Sequence, residues 1–173
     1  SSSHRFHLPE NLAFPSLRDH LENMTENYIP SRFDREAAQF DTVPARVELA
    51  RAVADTIAGA LPLHHGMHMM DYGTGTGLVA LRLQPLVGTI TAADSSREML
   101  AVLQSKIATS GIARLRTVEL NLEAQPAPPD EFDLIVSSMT LHHVRDTTAL
   151  FLKFHTALKP GGWLAVADLD IED

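Results

Sequence analysis

Apolar residues recur at Val47, Ala50, Val53, Ala54, Ile57 and Leu61, the spacing of one helix face, with Pro44 near the start and Pro62 beyond the end. The pattern therefore predicts an amphipathic helix there. After it, short apolar runs alternate with helical ones. Met67–Tyr72 predicts a strand, Gly77–Gln84 a helix and Thr89–Ala93 a strand. Ser96–Thr109 predicts a helix with Ser95 or Ser96 as N-cap and Gly111 just past its end. Arg114–Glu119 predicts a strand, and Phe132–Ser137 is a continuous apolar run of the buried parallel kind. Asp146–Leu158 predicts a helix capped by Asp146 and stopped by Lys159-Pro160-Gly161-Gly162, and Trp163–Ala167 a final strand. Strand and helix in alternation imply an α/β, doubly wound, mostly parallel sheet.

Residues 1–30 read as an irregular N-terminal extension punctuated by Pro9, Pro15 and Pro30, with one short helix around Ser16–Met24. Residues 31–173 read as the folded domain. The length of 173 residues fits one domain with a sizeable core.

Composition narrows the function. The chain has 14 basic and 22 acidic side chains, a net charge of −8, and no Lys/Arg cluster. That argues against a nucleic-acid partner, whose binders usually present a basic face to phosphate. The absence of cysteine excludes disulfides, thiolate metal sites and cysteine nucleophiles. No apolar run is long enough to span a membrane and the first residues do not form a secretory signal, so a cytoplasmic protein without a membrane partner is expected.

The most informative stretch is Asp71-Tyr72-Gly73-Thr74-Gly75-Thr76-Gly77, which joins the first strand to the following helix. Glycines at alternate positions permit a sharp turn and close approach of a ligand to the main chain. A glycine turn can also be purely structural. The dinucleotide fingerprint G-x-G-x-x-G is not met, because Leu78 stands where its last glycine belongs. Asp71, two residues before the first glycine, works against a pyrophosphate and suits a ligand carrying an amino group. Asp94 ends the second strand about 20 residues further on, where an acid accepts hydrogen bonds from ribose hydroxyls. Capping of the next helix is its alternative role.

With these features the chain resembles class I S-adenosylmethionine-dependent methyltransferases of the small-molecule type, from about Arg32 to Asp173. The resemblance is carried by Asp71–Gly77, by Ala93-Asp94-Ser95 with Met99-Leu100, by Phe132–Ser138, by Leu141-His142-His143-Val144 and by Leu158–Leu164, in that order and spacing. It implies a Rossmann-like fold and S-adenosylmethionine as cofactor, with S-adenosylhomocysteine as product. It implies that Gly73, Thr74, Gly75 and Gly77 line the methionine and ribose portion above Asp71, and that Asp94 holds the ribose hydroxyls. Ser95 and Met99 would border the adenine, with Asn121 and Leu122 at its amino group. Asn121 replaces the family's usual Asp, and its side-chain oxygen still accepts a hydrogen bond. Ser137 would offer its carbonyl to the methionine ammonium. The family sheet normally continues past the fifth strand. The domain is thus expected to be C-terminally incomplete, lacking the last strands and part of the substrate wall, with an exposed edge through which a homodimer forms.

The implied reaction is methyl transfer to a small-molecule acceptor at oxygen, nitrogen, sulfur or carbon. The segment Ser137-Ser138-Met139-Thr140 lacks the Asn/Asp-Pro-Pro-aromatic signature used on exocyclic amines. His143, ahead of its neighbour His142, is the candidate general base; packing or solvation is the alternative for each. Asp168 and Asp170 leave the last strand on the same rim. Phe33 and Phe40, flanking Asp34, are candidates for a lid over the cofactor, or for simple packing. His64, His65 and His68 precede the first strand and read as a solvated turn, with no metal expected. A non-catalytic module with the same fold and a nicotinamide-dependent oxidoreductase are the competing readings.

Overall fold

The structure is a computed structural model and describes residues 34–129 and 131–168. The expected Ser16–Met24 helix, Phe33 and Asp170 lie outside those residues.

Five strands form one parallel sheet: β1 (His68–Tyr72), β2 (Thr89–Asp94), β3 (Leu115–Glu119), β4 (Phe132–Ser138) and β5 (Leu158–Ala167), in the order β3-β2-β1-β4-β5. The order reverses at β1, which pairs with β2 on one side and β4 on the other. In open α/β sheets a ligand crevice lies at that switch, outside the carboxyl ends of the strands. The site follows from the topology.

Helices α1 (Pro44–Ala60), α2 (Leu78–Leu83), α3 (Arg97–Ser110) and α4 (Thr147–Ala157) cover the two faces. On one face Val53 and Ala54 of α1, Val79 and Leu83 of α2 and Leu103 of α3 pack against Met69, Ile90, Leu134 and Val136. On the other, Leu150 and Phe154 of α4 meet Met70, Tyr72 and Ile135. Neighbouring residues such as Met69 and Met70 enter opposite cores, so β1 is buried on both faces. Among the described residues no helix lies between β3 and β4.

The caps fall where side-chain chemistry puts them. Ser96 Oγ accepts from Met99 N at 3.2 Å, Asp146 Oδ1 accepts from Ala149 N at 2.8 Å, and Gly111 ends α3 in the left-handed conformation. Two boundaries differ from expectation. Helix α2 ends at Leu83, and Gln84–Leu86 tightens to a 3-10 turn as Pro85 withdraws a donor. The segment Lys159–Gly162 is a bulge inside β5 and no separate loop. Leu158 pairs with Phe132 and Trp163 with Leu134, so the intervening residues arch past Asp133, whose carboxylate accepts from Lys159 Nζ at 2.8 Å.

Candidate active site

The turn after β1 and the tip of β2 are fastened to each other. Asp94 Oδ2 accepts from Gly75 N at 2.7 Å and Oδ1 from Ser96 N at 2.8 Å, while Gly73 N and Thr74 N donate to Ala93 O at 2.8 and 3.0 Å. Asp94 therefore shapes the glycine turn and caps the approach to α3 while facing the cavity between them. Burial pushes its carboxyl above the usual range, and the N–H groups of Ser96 and Gly75 oppose that shift.

The cavity is lined by Asp71, Tyr72, Gly73, Thr74, Gly75 and Thr76 from the turn, by Asp94, Ser95 and Met99 at the tip of β2, and by Leu120, Asn121 and Glu123 after β3. Ser138, Met139, Thr140, His143 and Val144 close it at the tip of β4. Phe40, Arg46, Leu49 and Ala50 form its roof with Leu78 and Val79. Of the residues singled out in the sequence, the structure thus brings Asp71, Gly73, Thr74, Gly75, Asp94, Ser95, Met99, Asn121 and His143 to one cavity.

Gly77, Leu122 and Ser137 lie behind it. Ser137 is buried and donates its hydroxyl to Tyr72 O at 3.1 Å, so Ser138, one residue on, takes its place at the wall. Leu122 is fully buried and its N–H reaches Tyr72 Oη at 3.2 Å. The glycines are required for different reasons. A Cβ on Gly73 would fall within the Thr140 side chain and one on Gly77 within that of Leu103, whereas one on Gly75 would find only Met99 Sδ, at 4.0 Å. Packing of the chain on itself demands glycine at 73 and 77. At Gly75 the open side faces the cavity, as a ligand approaching the main chain requires.

Asp71 is 2% exposed and takes a hydrogen bond from Thr74 Oγ1 at 2.8 Å. Burial is the main cause that pushes its carboxyl up to about 7, and the nearby Asp94 adds to it. A carboxylate so desolvated favours a cationic group beside it.

Several lining residues carried no sequence signal. Arg46 sits on a polar position of α1, where a charge ordinarily faces water. Here its guanidinium stands 4.3 Å over the Phe40 ring and donates to Glu36 Oε2 at 3.1 Å. Met139 adopts φ 53°, a left-handed conformation unusual outside glycine, at the end of β4. The segment before α1 is stapled over the glycine turn: Ser96 Oγ donates to Asp34 Oδ1 at 2.6 Å, Thr76 Oγ1 donates to Asp41 Oδ1 at 2.5 Å, and Lys106 pairs with Asp41. Phe40, carried by this strap, lines the cavity as a lid residue would.

At the β4 tip, Asp168 accepts from Thr140 N at 2.9 Å, Leu141 N at 2.6 Å and His142 Nδ1 at 2.7 Å. His142 is nine-tenths buried behind His143, with ring centroids 3.9 Å apart, so His143 is the histidine that reaches the cavity. His68 stands at the far end of β1 with Nε2 2.9 Å from Thr91 Oγ1.

These residues fit the adenosine and amino-acid portions of S-adenosylmethionine. A half-buried acid at a strand tip faces the cavity with acceptor capacity beyond its backbone donors, an open glycine lies beside it, and a desolvated acid lies under the turn. The chain matches the methyltransferase-domain family over residues 70–166 and belongs to it, with the fold of class I S-adenosylmethionine-dependent methyltransferases. An uncharacterized methyltransferase of Schizosaccharomyces pombe is 35% identical over 111 residues, 60% of this chain and 39% of the relative. The ubiquinone/menaquinone biosynthesis C-methyltransferase UbiE of Coxiella burnetii is 30% identical over 142 residues, 79% of this chain and 57% of the relative. The crystal structure of a SAM-dependent methyltransferase from Aquifex aeolicus shares the fold with a TM-score of 0.68 at 23% identity, covering 85% of this chain and 76% of that one. The chain spans about half the length of the curated relatives it matches.

Proposed function

We propose that this domain binds S-adenosylmethionine and transfers its methyl group to a small-molecule acceptor, with a carbon atom as the favoured acceptor. The observation that carries the reading is the Asp94–Gly75 contact of 2.7 Å, which locks an acid at the β2 tip to the one glycine whose open side faces the cavity. The name of the Coxiella relative, a C-methyltransferase, supports carbon.

When bound, the cofactor supplies an electrophilic methyl group on a positively charged sulfur. The chain's own residues bind and orient. Asp94 takes the ribose hydroxyls, Asn121 the adenine amino group and Asp71 the ammonium of the amino-acid tail. Phe40, Leu49 and Val144 exclude water from the cavity, which strengthens its electrostatics. His143 lines the cavity where its imidazole would take the proton that the acceptor loses as the new bond forms.

The test is turnover of S-adenosylmethionine with a panel of phenolic, enolic and amine acceptors, read as released S-adenosylhomocysteine. Turnover confined to acceptors methylated at carbon supports the reading. Binding of the cofactor with no turnover on any acceptor would leave a binding module of the same fold.

A further inference from the structure

Asn121 lines the cavity just after β3, on a loop whose main-chain donors are already committed. Leu120 N donates to Asp94 O at 2.9 Å, Asn121 N to Gln125 Oε1 at 2.8 Å and Leu122 N to Tyr72 Oη at 3.2 Å. Glu123 N donates to Asn121 Oδ1 at 2.9 Å, and Ala124 N and Gln125 N donate to Asn121 O at 3.1 and 2.9 Å. Lys153 of α4 fixes the same loop by donating to the carbonyls of Leu122 and Gln125. Each residue has a single N–H, so the main chain from Leu120 to Gln125 has none left for a ligand. The Asn121 side chain does. A backbone N–H takes only an acceptor, so Glu123 turns the amide with Oδ1 toward itself and thereby fixes which end carries the NH2 group. Among the described residues Nδ2 has no acceptor, and Oδ1 keeps a second lone pair. Such an amide matches an edge that sets a donor beside an acceptor, and adenine presents one. The aspartate usual in the family accepts from the adenine amino group but has no proton for the ring nitrogen next to it.

We propose that Asn121 donates from Nδ2 to ring N1 of the cofactor's base while Oδ1 accepts from the amino group, and that Glu123 N–H locks this orientation. Asn121 then sets adenine above hypoxanthine. This rests on the methyltransferase reading above. Hypoxanthine reverses the edge, with a carbonyl oxygen in place of the amino group and a proton on N1. To match it the amide must turn over, which sets NH2 against Glu123 N–H and breaks the bond that holds the loop.

The experiment is calorimetric binding of S-adenosylhomocysteine, of its 1-deaza analogue, in which C–H replaces N1, and of S-inosylhomocysteine. Each is measured on wild type and on Asn121→Asp, which keeps an acceptor for Glu123 N–H. Wild type binds the 1-deaza analogue about threefold to tenfold more weakly than S-adenosylhomocysteine, the worth of one neutral hydrogen bond. It binds S-inosylhomocysteine about tenfold more weakly or worse, because both contacts are then mismatched. In Asn121→Asp the gap between S-adenosylhomocysteine and the 1-deaza analogue closes to within about twofold, since the residue and the ring nitrogen are coupled only if they touch. A merely structural role for Asn121 would weaken both ligands alike and keep the wild-type gap. That persistent gap, or equal binding of the two by wild type, would overturn the N1 contact. Equal binding of S-adenosylhomocysteine and S-inosylhomocysteine by wild type would overturn the lock, and both wild-type comparisons stand without the variant. A wild-type chain that binds none of the three ligands would instead sink the methyltransferase reading itself.

Discussion

Asp168 lies 2.7 Å from His142 Nδ1, and the same carboxylate takes the N–H groups of Thr140 and Leu141. One side chain at the end of β5 thus fixes the turn that carries Met139, Thr140 and His143 into the cavity. Asp168→Ala leaves all three donors without that acceptor and is expected to cost about 2–4 kcal/mol, more than one neutral hydrogen bond because the acceptor is charged. Urea unfolding of Asp168→Ala against wild type measures this. A midpoint shift of less than the equivalent of 1 kcal/mol would mean that the turn is held by other contacts.

Burial raises the Asp71 carboxyl from 3.8 to about 7. Between those values the folded chain holds a proton that the unfolded chain has released. The contribution of Asp71 to stability therefore declines as pH rises from about 4 to about 7 and levels off above. Asp71→Asn removes the titrating group, so the variant is expected to lose much less stability between pH 5 and pH 8. Denaturation at the two pH values in both proteins decides it; the same pH dependence in each would place the titrating group elsewhere.

The glycines give opposite signatures. Gly77→Ala must displace the Leu103 side chain and hold a left-handed backbone, φ 82°, for a combined cost of about 2–5 kcal/mol. Gly75→Ala meets only Met99 Sδ and pays about 1–2 kcal/mol for its φ of 54°. Thermal melts are expected to rank Gly77→Ala well below Gly75→Ala without ligand. S-adenosylhomocysteine should stabilise Gly75→Ala less than wild type, since the new methyl group enters the cavity. The reverse ranking would show that the turn is not built as described.

Strand β5 is an edge of the five-stranded sheet, and Trp163, Leu164 and Val166 on it are 40%, 37% and 41% exposed. An apolar edge with no strand partner among the described residues invites strand pairing. The 173-residue chain is expected to self-associate as its concentration rises, and Val166→Lys to oppose this; light scattering on both proteins reports it. A wild-type monomer across the whole concentration range would count against the edge as an interface.

Much of this architecture was legible because its signals are local. Period and run length mark β1 to β4 and α1, and Ser96, Gly111 and Asp146 punctuate the helices by their own chemistry. The glycine turn and Asp94 stood out through spacing alone, and both face the cavity. What escaped depends on contacts distant in sequence. Arg46 looks like a solvated charge until Phe40 and Glu36 fold over it. Ser137 and Ser138 are chemically identical, and only the pleat of β4 decides which one faces the cavity. Lys159–Gly162 carries every mark of a loop, yet pairing of Leu158 and Trp163 with β4 draws it into a strand. Gly77 suggested ligand contact but lies behind the cavity against Leu103, whereas Gly73 lines the cavity and also leaves room for Thr140.

The most direct test is a thermal melt with and without S-adenosylhomocysteine, with NAD as the control ligand and Asp94→Ala as the control protein. Ligand at 100 times its dissociation constant adds about 2.7 kcal/mol, which for a domain of this size raises the midpoint by roughly 5–10 °C. The expected result is that rise with S-adenosylhomocysteine alone, lost in Asp94→Ala. A rise with NAD, or an equal rise in Asp94→Ala, would contradict the cofactor site built here on Asp94 and Gly75.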